Sequence, residues 1–294
     1  MKVAAAKYTI QAPESFEAFA ARLRQMLGDV AARGVGIAVL PEYLSLELAA
    51  TFGPEVRGDL ATSLAAIQRY RAPWLALFAD LARDTGTAIA AGTFLLDDGG
   101  GRYRNRADLL LPGGAHVWQD KLQLTGFEKA TGLIDGGDAL KVFDTGTARL
   151  ALSVCYDIEF PLPVRAQYEA GARLLLVPSC TDTAAGATRV RVGCQARALE
   201  NRCFVAQAVT AGEAPWSPAL DVNTGEAAIH APMDVGFPAD GVLACTHGEA
   251  GWAIAEVDLA ALEASRAQAQ VANDRDWRGQ AAPALATARV EPAR

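Results

Sequence analysis

The sequence predicts an α/β fold, a single domain whose sheets are covered by helices. Three observations point there. Short apolar runs of strand length alternate with stretches of helical period. The opening strand, helix and strand read as a right-handed βαβ-type unit. The run Arg173-Leu174-Leu175-Leu176-Val177-Pro178 is apolar without alternation, as expected of a strand buried on both faces.

Taken in order, residues 1–10 form a first strand. Lys7 interrupts it, and it lacks the apolar core and cleavage site of a signal peptide. Glu14 to Arg33 is an amphipathic helix, with Phe16, Phe19, Ala20, Leu23, Leu27 and Val30 on one face and Gly34 closing it. Val35 to Leu40 is a buried strand ending at Pro41-Glu42. Pro73 to Arg83 is a second helix, and Thr87 to Leu96 and Tyr103 to Leu111 are strands joined through Asp97-Asp98-Gly99-Gly100-Gly101. Ala115 to Trp118 follows a Pro-Gly-Gly turn. A long loop is expected from Lys121 to Asp138, then a strand pair over 140–144 and 149–154. Pro161 to Gly171 and Thr188 to Arg202 are helices flanking the Leu-rich strand. Cys203 to Val209 and Trp252 to Val257 are strands, with loop-rich chain between them and a late helix over 259–269. The domain is expected to occupy residues 1–271. The Ala-rich tail, 272–294, is expected to be loosely attached or packed on a partner subunit.

Composition narrows the function. A net charge of −7 argues against general nucleic-acid binding, and no apolar stretch has the length of a membrane span. Five cysteines form no CxxC and no disulfide framework, so reduced thiols and a cytoplasmic location are expected. His116, His230 and His247 are scattered, without zinc-ligand spacing, and read as surface or hairpin residues. No metal or other cofactor is expected. Gly99-Gly100-Gly101 lacks the context of a phosphate-binding loop and reads as a turn.

The chemistry gathers at three strand ends. Cys155 closes Leu150-Ala151-Leu152-Ser153-Val154 and precedes a Pro-started helix, which puts a thiol at a strand-to-helix turn. Glu42 and Lys121 each lie just past a strand, and ligands collect beyond the carboxyl ends of strands in open α/β sheets. Together they supply a base, a cation and a nucleophile, with the Tyr156 N–H as a second oxyanion donor. Taken singly, Glu42 reads equally well as a solvated loop acid, Lys121 as a surface lysine and Cys155 as a core thiol. Cys180 follows a strand as well and is expected to line the pocket. Cys194, Cys203 and Cys245 are expected in the interior.

These residues resemble the nitrilase superfamily of carbon–nitrogen hydrolases. The resemblance runs from the first strand to about Leu262. It rests on Leu40-Pro41-Glu42, Asp120-Lys121-Leu122, Cys155-Tyr156-Asp157 with Phe160-Pro161, Glu169-Ala170-Gly171-Ala172, Val177-Pro178-Ser179 and Ala196-Arg197-Ala198-Leu199-Glu200-Asn201. It implies a single-domain, four-layer αββα sandwich, a Glu-Lys-Cys triad at Glu42, Lys121 and Cys155, and a homodimer or larger homo-oligomer. It also implies a second glutamate in the loop after the lysine, for which Glu128 is the candidate, against a bland reading as a loop acid paired with Lys129. Val177 to Asp182 and Ala214-Pro215-Trp216-Ser217-Pro218 resemble an amidase-like branch, some members of which are fused to an acetyltransferase domain; none is expected in these residues.

The expected reaction is hydrolysis of a small amide through a cysteine thioester. Cys-Tyr-Asp resembles the amidase branches more than the nitrilases. Nitrile hydrolysis by the same triad, or an inactive binding member of the fold, is the alternative. Cys180, Thr181 and Trp216 are expected at the substrate, with Tyr43 and Phe127 as further candidates for an aromatic wall. Specificity is expected to lie in loops over residues 43–60, 122–138, 180–190 and 212–240, and the sequence does not identify the substrate.

Overall fold

The structure is a computed structural model that describes residues 1–293. The chain opens with β1 (Lys2–Thr9), α1 (Phe16–Ala31) and β2 (Val35–Val39). α2 (Pro54–Arg57), α3 (Leu60–Ile67) and α4 (Arg71–Thr85) follow, then the strands β3 (Ala88–Gly99), β4 (Arg102–Leu110) and β5 (His116–Asp120). Next come α5 (Gly126–Thr131), β6 (Ile134–Asp135), β7 (Phe143–Asp144), β8 (Arg149–Leu152), α6 (Pro161–Glu169), β9 (Leu174–Ser179) and α7 (Ala184–Asn201). The last part holds β10 (Phe204–Glu213), β11 (Val222–Asn223), β12 (Ala228–His230), β13 (Val242–Cys245), β14 (Gly251–Glu256), α8 (Leu259–Ala264) and α9 (Asn273–Asp276).

These strands make two sheets that merge along one seam. One runs β5-β4-β3-β2-β1-β14 and the other β13-β12-β10-β9-β8-β7. They join where Lys7, Tyr8 and Thr9 of β1 pair in parallel with Val209, Thr210 and Ala211 of β10, so the sheet nearly closes into a barrel. The period-2 alternation of the strands sorts side chains into layers. Val3, Ala5, Ile37, Val39, Ala90 and Leu109 pack toward the second sheet. Their neighbours Ala4, Ala6, Ala38, Leu40 and Ile89 pack under α1 and α4, against Phe19, Leu23, Trp74 and Phe78. Helices α6 and α7 cover the far face of the second sheet through Val164, Val190, Cys194 and Ala198. The result is the α-β-β-α sandwich expected from the sequence.

Helix starts follow their caps. Ser15 accepts from the Ala18 N–H and begins α1, as the periodicity implied to within two residues. α7 begins four residues before the expected Thr188, because Thr183 caps it and accepts from the Gly186 N–H. Residues 43–60 are not a loop: Leu44–Thr51 is a 3₁₀ helix, buried over most of its length, followed by α2. An apolar segment buried on every side shows no helical period. The start of the tail is also anchored. Asp274 is buried, accepts from Tyr168 Oη at 2.6 Å and pairs with Arg266, and Arg165 lies over the Trp277 ring. Residues 278–293 are exposed. Among the described residues no helix is long and apolar enough to cross a membrane.

One histidine departs from expectation. His230 is fully buried in β12, where Nε2 lies 3.2 Å from Gln207 Oε1 and Nδ1 has no partner. Burial, helped by the Arg191 charge, holds its imidazole down to about 4. The folded pKa is depressed, so the unfolded chain takes up its proton first as the pH falls. The contribution to stability is full above ~6.5 and falls by about 3 kcal/mol as the pH approaches 4. His230→Asn is therefore expected to flatten the decline of melting temperature between these limits; a decline as steep as in the unmodified protein would contradict the assignment.

Candidate active site

Three strand ends deliver the site. Leu40 continues β2 by donating its N–H to the Ala90 carbonyl at 2.9 Å, and Glu42 follows two residues on. Lys121 directly follows β5, held by its N–H to the Asn105 carbonyl of β4. Ser153 extends β8 through its N–H to the Leu176 carbonyl, and Cys155 opens a 3₁₀ helix, Cys155–Glu159.

The three residues meet. Lys121 Nζ lies 2.8 Å from Glu42 Oε1 and 2.8 Å from Glu128 Oε2. Glu42, Lys121 and Glu128 are sealed from solvent, at 1% exposure or less, and Cys155 beside them is 4% exposed. Glu128 is thus not paired with Lys129, and it is held from every side. Tyr43 Oη donates to Oε1 at 2.8 Å, and the Thr125 N–H donates to Oε2 at 2.9 Å. Thr125 and Glu128 form a capping box that starts α5. The long loop expected over 121–138 therefore contains a helix. The motif that announces it, Thr-Gly-Phe-Glu just before Lys129, is legible in the sequence.

The charges decide the protonation state. Burial raises the Glu42 carboxyl, and the Lys121 ammonium opposes this only in part. Glu128 is buried too, but the Lys121 charge and its hydrogen-bond donors outweigh that and hold it below the usual carboxylate range. Burial pushes the ammonium of Lys121 down, and the two carboxylates more than reverse it, so Lys121 stays charged. Burial and the Glu42 charge push the Cys155 thiol well up, with Lys121 opposing. In the resting cluster Glu128 and Lys121 face each other as an ion pair, and the Cys155 thiol keeps its proton. Glu42, raised toward neutrality, is suited to accept that proton during a reaction.

Cys155 is held in an unusual backbone state. Its φ is +49°, and Tyr43, next to Glu42, has φ +61°. These are two of the three non-glycine residues with positive φ among those described, and such strain persists where surrounding structure over-determines it. The over-determining groups are visible. Asp157 accepts from the Leu122 N–H at 3.1 Å, the Gln123 N–H at 2.7 Å and the Val154 N–H at 3.3 Å. One carboxylate therefore ties the residues after Lys121 to the residue before Cys155. Burial raises Asp157 to about 6, against the pull of those N–H groups. Asn105 plays the matching part between the acids, donating Nδ2 to Glu42 Oε1 at 2.8 Å and to Glu128 Oε1 at 3.2 Å. Sequence reasoning missed Asn105. It sits mid-strand on β4, and nothing local marks it as different from its neighbours.

Gly92 makes room for the Glu42 turn. It has φ +71°, and a Cβ there would lie 2.2 Å from the Pro41 carbonyl oxygen and 3.1 Å from Leu44 Cβ. Gly92→Ala is expected to cost about 2–4 kcal/mol, from the left-handed backbone together with overpacking. It is also expected to displace Glu42 and lower any turnover. Denaturant unfolding checks the first effect, and a wild-type midpoint would contradict the close approach.

A cavity of about 240 Å³ opens onto the cluster. Glu42, Lys121, Cys155, Tyr156, Cys180 and Thr181 line it, with Tyr43 and Phe127. Glu128 stands behind Lys121. Cys155 Sγ donates to the Cys180 carbonyl at 3.4 Å, and the Cys180 thiol turns away to Asn223 Oδ1 at 3.2 Å. Tyr156 occupies the first turn of the 3₁₀ helix, where N–H groups lack intrahelical partners. Trp216 is not in the lining; it packs on the outer hydrophobic cluster, and its neighbours Pro218 and Ala219 take the wall instead. His230 and His247 do not reach the cavity. Glu159, Asp182, Arg189 and Asp221 also line it and were not singled out in the sequence.

The chain belongs to the carbon–nitrogen hydrolase family: the family model "Carbon-nitrogen hydrolase" matches residues 2–267. Over 279 residues it is 31% identical to the probable hydrolase YhcX of Bacillus subtilis (strain 168), covering 95% of this chain and 54% of that protein. The chain thus spans about half the length of that relative. It is 24% identical over 261 residues to an omega-amidase of Xenopus laevis, covering 86% and 88% of the two chains. The fold is shared with the NitFhit protein of C. elegans (TM-score 0.74, 20% identity, 91% of this chain and 63% of that one). It is shared as well with the Nesterenkonia AN1 amidase of the nitrilase superfamily (TM-score 0.68, 23% identity, 94% and 97%).

Proposed function

We propose that this protein hydrolyses the C–N bond of a small amide through a thioester on Cys155. The observation that carries the reading is the meeting of Glu42, Lys121 and Cys155 at the floor of one small cavity. The thiol S–H swings from the Cys180 carbonyl and gives its proton to Glu42, and the thiolate attacks the amide carbonyl. Lys121 Nζ and the Tyr156 N–H receive the oxyanion. Glu42 returns the proton to the departing amine or ammonia as the C–N bond breaks. It then takes a proton from water as the water oxygen attacks the thioester, and hands that proton to the departing sulfur as the C–S bond breaks, releasing the acid and restoring the thiol. Glu128 does not touch the reacting atoms in this scheme. It holds Lys121 against Glu42.

Related proteins support the reading. A relative is an omega-amidase, and the Nesterenkonia amidase is recorded with acrylamide added at its active-site cysteine. A cytoplasmic location and a homo-oligomeric assembly belong to the same proposal; all five cysteines are free thiols, which suits a reducing compartment.

The test is ammonia release from short amides, ω-amides, carbamoyl amines and nitriles of matched size. Amides are expected to react faster than the nitriles, with the acyl group found on the Cys155 peptide after acid quench. Faster release from nitriles would make the protein a nitrilase instead.

A further inference from the structure

The cavity carries more charge than the proposed chemistry uses. Four carboxylates line it, Glu42, Glu159, Asp182 and Asp221, against two cations, Lys121 and Arg189. Lys121 is enclosed, whereas Arg189 is largely exposed and touches a single acid. Lys121 is buried between Glu42 and Glu128, and Arg189 Nε reaches Glu159 Oε1 at 3.4 Å. Asp182 and Asp221 form no ion pair among the described residues, and Asp221 accepts the N–H of its neighbour Val222.

These two acids do not lie on independent loops. Asp182 follows β9 and Asp221 precedes β11, and the two segments are clamped to each other. Thr181 Oγ1 donates to the Thr224 carbonyl at 2.6 Å, and the Thr224 N–H donates back to the Thr181 carbonyl at 2.8 Å. The Cys180 thiol adds a third link, to Asn223. The segments that carry these two exposed carboxylates are therefore tied to each other where they line the cavity. Two aromatic rings, Phe127 and Tyr156, line the same space, and ring faces attract cations. A negatively charged substrate would meet one accessible cation there, Arg189, against the three carboxylates of Glu159, Asp182 and Asp221. At about 240 Å³ the cavity lies at or below the small end of ligand sites, so a charged end of the substrate cannot stay far from these groups.

We propose that the amide hydrolysed here carries a positive charge, an amine or guanidine a few methylenes from the scissile amide, and that Asp182 and Asp221 select it. This rests on the amide reading above and names its substrate class. The acids lie outside the reacting cluster, so they act on binding and steering of the substrate.

The experiment uses three amides of equal chain length: 4-aminobutanamide, butanamide and succinamic acid. Each is measured in two ways on the whole chain, by ammonia release and by protection of Cys155 from iodoacetamide, located by peptide mass. The expected order is cationic, neutral, anionic. We expect about a tenfold span between the first and last, shrinking as salt rises, as for two unpaired carboxylates near the surface. In the double variant Asp182→Asn/Asp221→Asn the span is expected to collapse toward one. Equal protection by all three amides, or better protection by succinamic acid, overturns the proposal. If succinamic acid wins and Arg189→Ala abolishes that preference, Arg189 is the receptor and the substrate is an anion. The protection readout needs no turnover. Ordered protection without ammonia release would therefore sustain the charge selection while defeating the hydrolase reading.

Discussion

Cys155→Ala is expected to reduce amide hydrolysis by ~10⁴-fold or more, because it deletes the group that forms the covalent bond. The fold is expected to survive. The backbone at Cys155 is held at φ +49° by its surroundings, and the lost contact is one weak thiol hydrogen bond to the Cys180 carbonyl. Far smaller loss is expected from Cys180→Ala, since its carbonyl faces Cys155 while its thiol is bonded to Asn223. Turnover under saturating amide and the melting temperature of each variant make the comparison. Near-normal turnover in Cys155→Ala, with a wild-type melt, would remove the thiol from the mechanism. Equal losses in both variants would mean that the reacting sulfur has been misassigned.

The second large effect belongs to Lys121. Lys121→Ala leaves two buried carboxylates with no counter-charge, a change that costs about 3–5 kcal/mol for a broken buried pair. Loss of an oxyanion donor is expected to lower kcat/KM by about 10²–10³-fold. The pH dependence carries the sign. In the intact protein Glu128 sits below its ordinary range, so its contribution is present at neutral pH and is lost as the pH falls. Without Lys121, burial dominates and both carboxyls are raised. The contribution of the two carboxyls is then full below the ordinary carboxylate range, where both are protonated, and is lost as the pH rises from that range through their raised folded values. Urea unfolding at about pH 5 and about pH 8 reads this inversion. The Cys155 alkylation profile is expected to move to higher pH, because Lys121 is the charge that opposes burial and Glu42 at the thiol. Glu42→Gln is a useful contrast. It keeps a polar group beside Lys121 but accepts no proton, so acylation and deacylation slow while the ammonium remains paired with Glu128. An unchanged alkylation profile in Lys121→Ala would mean that the ammonium does not act on the thiol.

Much of this was readable from residue order. α1 and the strands β2, β3, β4 and β9 announce themselves because burial on one face, or on both, imposes period 3.6, period 2 or continuous apolarity. Glu42, Lys121 and Cys155 were legible because each stands at a strand end, and strand ends of an α/β sheet point to the same edge. Glu128 was reached only through the family resemblance; its spacing to Thr125 is that of a capping box, which marks the start of α5 and not a site. The residues that escaped are those whose roles exist only across the fold. Asn105 is an unremarkable polar residue of a strand until β4 brings it between two acids that are 63 and 23 positions away. Asp157 binds N–H groups on both sides of the site, and its tie to Leu122 spans 35 positions. Trp216 carried an aromatic signal in a pocket-like segment, yet it packs on the outer cluster, and Ala219 lines the wall. The protonation states were also beyond the sequence. Whether Glu42 is raised while Glu128 is lowered depends on which oxygen meets Lys121, which donors surround each acid and how completely water is excluded. Those are properties of three-dimensional contact, and a pattern along the chain does not contain them.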